Sequence, residues 1–186
     1  MACLTIHYVI AQTYAQKHNI QNLADFINYN FIPDFEDKEA KHFTSPFDKK
    51  SYLDFRTNKV NLFAFTQNFT LDNDQNKGHF LHILVDHLFY HDYCYELYKR
   101  YDDFTDTYVY LSREYNKLNK PMFDTFDIDL KLVPEKYHKY FALSKDLPNH
   151  FNIKDIVKFV DFCSTLDLDE QYKNIKQGIL PVFYLN

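Results

Sequence analysis

Between Gly78 and His91 the chain runs through a segment apolar enough to be a central helix, yet it carries four histidines and an aspartate. His82 and Asp86 are four residues apart. At about 100° per residue they lie roughly 40° apart on one helix face, one turn above the other, so a single metal ion can touch both. His79 falls between them in projection and Tyr90 continues the stripe, whereas His87 and His91 point toward the other side and suit a rim. The non-metal reading of the same residues is a buried histidine satisfied on a backbone carbonyl, with the aspartate as its hydrogen-bond partner.

Other residues of the first half carry the same chemistry. His7 sits on the apolar seam of a helix expected from Thr5 to about His18, beside Ile10 and Tyr14, while His18 at its end suits carbonyl capping. Asn22 to Asn30 reads as a second helix that ends before Pro33, which disfavours helical backbone at the residue before it and leaves Asp34 at a stiff corner. Glu36 to Lys50 reads as a charged loop that returns His42 toward the core. Imidazole and carboxylate donors suit zinc, iron or manganese, and three protein ligands with an open position mark a catalytic site.

The elements that must position these residues are helical. With two glycines and six prolines in 186 residues there is little turn chemistry for hairpins, and the segments have helical spacing. The expected fold is all-α, a single-domain multi-helix bundle over residues 1–186 around a buried central helix from about Asn73 to His91. Sixteen Tyr and nineteen Phe with no Trp imply a core built largely from rings. Further helices are expected at Lys59–Phe69 with Asn61 as N-cap, at Tyr98–Tyr115, at Pro134–Phe141, at Ile153–Ser164 after Asn152, and at Leu168–Gln177. The last opens on an Asp167/Glu170 capping box and stops at Gly178. Pro121 to Leu132 reads as irregular.

A net charge of −5, with no basic run, argues against bulk attraction to duplex nucleic acid or an anionic membrane. No apolar run is long enough to span a membrane and no signal-peptide pattern opens the chain, so a cytoplasmic protein is expected. Cys3, Cys94 and Cys163 suit buried free thiols. Gly-rich phosphate loops, dinucleotide fingerprints and Ser- or Cys-nucleophile motifs do not occur.

The order His7, Pro33-Asp34, His42, then Gly78-x-x-x-His82-x-x-x-Asp86 resembles the zinc-dependent phospholipase C superfamily, an all-helical group that includes fungal single-strand nucleases, and most of all its small bacterial members. The likeness covers about residues 1–92. It implies that His7, Asp34, His42, His82 and Asp86 are metal ligands, with Asp34 and Asp86 serving catalysis. The superfamily's amino-terminal Trp ligand and its second helical motif, His-x-x-x-Glu, have no counterpart here, so one or two ions are implied rather than three. The implied reaction is hydrolysis of a small phosphorylated substrate by a metal-bound hydroxide, with Asp86 able to bridge two ions. Two other readings stand beside it. His91-Asp92 resembles the metal-binding dyad of HD-type phosphohydrolases, and a non-catalytic helical binding protein with a decayed metal site fits the missing ligands.

Overall fold

A computed structural model of the chain describes residues 3–37, 41–43, 60–99 and 114–185. The expected loop beyond Phe43 lies outside these residues, as does most of the expected Tyr98–Tyr115 helix. The architecture is all-α, and no strand occurs among the described residues. Helix α1 spans Leu4–Lys17, α2 Leu23–Phe35, α3 Leu62–Asn68 and α4 Asp74–Leu88. A π-helical turn, Phe89–Cys94, carries α4 into the short α5, Tyr95–Tyr98. Then come α6 at Asn119–Thr125, α7 at Ile153–Thr165 and α8 at Leu168–Lys176, with 3₁₀ turns at Tyr115–Leu118, Leu130–Leu132 and Glu135–Phe141.

Side-chain caps fix most starts, because the first amides of a helix have no partner within it. Asn22 accepts from Asp25 N, Asn61 from Ala64 N, Asn73 from Asn76 N and Asp167 from Glu170 N, each at 2.8–3.1 Å. Gly178, with φ at +80°, turns the chain out of α8.

Every residue of α4 from Gly78 to Leu88 is buried, so the expected central helix is central. α2 lies along it, and α1 packs on α2 and α7. Gly78 explains how close α2 comes. A Cβ there would sit 2.2 Å from the Phe26 carbonyl oxygen, so only glycine permits the approach. Asn30 Nδ2 donates to the Gly78 carbonyl across the same contact at 3.2 Å. Phe31, Tyr8, Tyr137 and Phe141 stack and edge against one another beside it, part of one connected buried cluster that reaches from Cys3 to Phe183.

Two proline expectations are corrected. α2 continues through Pro33 to Phe35, placing Asp34 in its last turn rather than at a corner. Pro33 removes only the bond that the Tyr29 carbonyl would accept, and packing of buried Phe31, Ile32 and Pro33 holds the helical course. Pro121 likewise lies inside α6, in its first turn, where the missing N–H has no intrahelical partner to lose.

Candidate metal centre

Four elements bring five polar side chains to one buried point. α1 supplies His7, the last turn of α2 supplies Asp34, the 41–43 segment supplies His42, and α4 supplies His82 and Asp86. His7, His42, His82 and Asp86 are at most 2% exposed, and the Asp34 side chain is 7% exposed.

Two ring nitrogens and two carboxylate oxygens face one another. His42 Nε2 lies 3.2 Å from His82 Nε2, 3.3 Å from Asp86 Oδ2 and 3.7 Å from Asp34 Oδ1. His82 Nε2 lies 3.7 Å from Asp86 Oδ2 and 3.8 Å from Asp34 Oδ1. A tetrahedral ion with bonds of about 2.0–2.2 Å sets its donors about 3.3–3.6 Å apart, so the trio His42 Nε2, His82 Nε2 and Asp86 Oδ2 stands near the separations such an ion requires. The other Asp86 oxygen, Oδ1, is 3.2 Å from His7 Nε2, and the His7 ring stacks on that of His82 at 3.9 Å. A second trio, His7, Asp34 and His82, also brings its donor atoms within 4.8 Å of one another.

Hydrogen bonding prepares the donors. His82 Nδ1 is 2.7 Å from the Asn30 carbonyl oxygen, which only accepts, so Nδ1 carries the proton and Nε2 presents a lone pair inward. Burial, with His7 next, holds the His82 imidazole well below its ordinary range, and it is neutral at pH 7. Burial pulls the Asp86 carboxyl upward, but nearby positive charge and hydrogen bonds from His42 and His7 outweigh it and keep Asp86 ionised. Asp34 goes the other way. Burial raises its carboxyl, the Asp86 charge adds to that, and His7 and His42 offset it only in part. Among the described residues Asp34 Oδ1 and His7 Nδ1, both buried, have no hydrogen-bond partner, and Asp34 Oδ1 points into the cluster. An orphaned carboxylate oxygen among imidazole nitrogens is the donor pattern that a cation satisfies.

His42 is held by its backbone. Its carbonyl accepts from Asn61 N at 3.1 Å, and Phe43 beside it adopts φ +57°, a left-handed conformation that disfavours side chains. Phe43 is kept there by rings, edge-on to Phe65 and Phe69 and stacked on His79. His79 therefore does not join the site as its helix projection allowed. It turns to this aromatic cluster, with Nε2 donating to the Lys41 carbonyl at 2.7 Å, and burial lowers it to about 4.

Other histidines and carboxylates are engaged elsewhere. His87 stacks on His91 at 4.5 Å, and Asp92 Oδ2 accepts from Phe183 N at 2.7 Å. Glu96 pairs with Lys99 and His150 with Glu114. His18 reaches the Ser164 carbonyl and Tyr14. Cys3, Cys94 and Cys163 are buried, and no helix among the described residues is long and apolar enough to cross a membrane. The roles of Asn30 and Phe43 had no signal in the sequence, because one acts through its carbonyl and the other through its φ angle. No family model, curated protein or solved structure matches the chain.

Proposed function

We propose that this chain is a metal-dependent hydrolase of a phosphoester, holding one or two divalent ions, zinc first and iron or manganese as alternatives. The observation that carries the proposal is the buried trio of His42 Nε2, His82 Nε2 and Asp86 Oδ2 at 3.2–3.7 Å, with Asp34 Oδ1 3.7–3.8 Å from the two histidine nitrogens and His7 on the far oxygen of Asp86. The chain order of these residues, resembling the phospholipase C superfamily, agrees with it.

A divalent ion bound there supplies Lewis acidity and lowers the pKa of bound water. It also supplies the local positive charge that a chain of net charge −5 needs to attract a phosphate. The residues do the rest. His82, neutral and oriented by Asn30, and ionised Asp86 would hold an ion without having to lose protons near pH 7. Asp86 presents Oδ2 to His42 and His82 and Oδ1 to His7, so each of its oxygens would be available to an ion. Asp34, whose carboxyl takes a proton more readily than an ordinary aspartate, can ligate the ion or hold and release a proton at Oδ1.

The test is hydrolysis of bis(p-nitrophenyl) phosphate by chelator-treated protein reloaded with zinc, manganese or iron. Activity that returns with metal and is lost in Asp86→Asn and His82→Gln supports the proposal. Tight metal binding without hydrolysis of any phosphoester would make the chain a metal-binding protein instead and overturn the enzymatic reading.

A further inference from the structure

The segment after α8 has a pattern that nothing in the metal centre uses. From Leu180 to Leu185 burial alternates residue by residue, with Leu180, Val182 and Tyr184 exposed, Phe183 buried, and Pro181 and Leu185 half-buried. A period of two is that of an extended strand, not of a helix. Its inner face is anchored. Phe183 packs on Phe159 and Phe162 at 5.2 Å, and its N–H donates to Asp92 Oδ2 at 2.7 Å.

The outer face is apolar as well, with Leu180 47%, Val182 48% and Tyr184 73% exposed. Backbone polarity follows the same alternation. In an extended chain the N–H and C=O of one residue share an edge, and successive residues use opposite edges. Pro181 and Phe183 share the inner edge, where one has no N–H and the other has given its N–H to Asp92. Leu180, Val182 and Tyr184 share the outer edge, and among the described residues no hydrogen bond reaches their backbone. The single proline thus falls on the edge that does not need to pair.

We infer that this outer edge pairs with the same edge of a second copy of the chain, antiparallel about a twofold axis at Val182. The register is self-complementary. Val182 faces its own counterpart, Leu180 faces Tyr184, and each facing pair exchanges both N–H···O bonds. Aliphatic–aromatic pairs of this kind stabilise sheets. No charged side chain occurs from Gly178 to Asn186, so the paired strands bring no like charges together. A lipid surface suits the face less well, because hydrocarbon leaves the outer backbone groups without partners. The ladder is smaller than the roughly 800 Å² per partner of a stable dimer, so association is reversible.

Sedimentation velocity over a wide concentration range tests this. The 22.5 kDa chain is expected to move toward twice that mass as concentration rises. Association should tighten from about 50 mM to about 500 mM salt, because screening relieves repulsion between two negatively charged copies. Val182→Pro, which removes the central N–H, and Val182→Lys, which sets two cations face to face, should each weaken the dimer by at least about tenfold while leaving helical circular dichroism unchanged. Leu147→Lys, at another exposed leucine, should leave it intact. Wild-type protein that stays monomeric up to millimolar concentration overturns the inference. A dimer equally tight in both Val182 variants overturns it too.

Discussion

His82 Nδ1 is 2.7 Å from the carbonyl oxygen of Asn30, one helix away, and this contact decides which nitrogen of His82 faces Asp86 and His42. A carbonyl oxygen cannot donate, so the neutral ring is the Nδ1–H tautomer. The contact depends on the close approach of α2 to α4, and that approach depends on Gly78. Local backbone chemistry thereby sets the orientation of a candidate ligand.

Nitrogen-15 chemical shifts of metal-free protein are expected to show His82 as the Nδ1–H tautomer, neutral from pH 8 down past its ordinary range, because burial disfavours its charged form. An Nε2–H tautomer, or titration near 6.5, would remove the prepared lone pair.

Gly78→Ala tests the helix approach. In an open helix interior the change would stabilise by roughly 1 kcal/mol. Here the new Cβ meets the Phe26 carbonyl oxygen at 2.2 Å, so α2 must move and the sign reverses. A loss of about 1–3 kcal/mol in denaturant unfolding is expected, with weakened metal binding, since Asp34 and the Asn30 carbonyl ride on α2. A stabilised variant would show that the contact relaxes freely.

Much of this was legible in the sequence. Asn61, Asn73, Asn152 and Asp167 cap helices as their positions before apolar runs suggested, since capping is local chemistry. The apolar surface of Phe80 to Leu88 required burial, and α4 is central. Pro33 and Pro121 misled because proline's rule is also local, whereas tertiary packing and a first-turn position made both tolerable. His79 projected onto the same stripe as His82 and Asp86, but the Phe43, Phe65 and Phe69 rings attract it away, and contacts between distant segments are invisible to helical projection. The π-helical turn at Phe89–Cys94 and the outer edge at Leu180–Tyr184 likewise had no local signal distinct from helix or tail.

The two aspartates should respond oppositely to neutralisation. Asp86, held low, contributes stability that is present above its unfolded pKa and lost as pH falls through the folded value, so Asp86→Asn should lower the Tm of metal-free protein at pH 7. Asp34, held high, opposes folding once pH exceeds its unfolded pKa, so Asp34→Asn should hold or raise that Tm. Both variants should lose metal. Melting curves with chelator check the pair, and a strongly destabilised Asp34→Asn would show that its carboxylate is structural.

His79 sets an acid limit. Burial lowers its pKa from 6.5 to about 4, so between those values the unfolded chain binds a proton that the folded chain does not, and stability falls as pH drops through that window. His79→Gln keeps a donor for the Lys41 carbonyl and cannot titrate. Between pH 7 and pH 4.5 it should lose roughly 2–3 kcal/mol less stability than wild type, measured by urea unfolding. Parallel losses in the two proteins would mean that His79 is free to ionise in the fold.

Whether His7, Asp34, His42, His82 and Asp86 hold a metal ion is read out by elemental analysis of untagged protein purified without metal-chelating resin. One or two equivalents of zinc, iron or manganese per chain are expected, retained through dialysis and falling to a small fraction in Asp86→Asn and His82→Gln. A wild-type content near zero that stays there after incubation with each of the three metals would contradict that expectation.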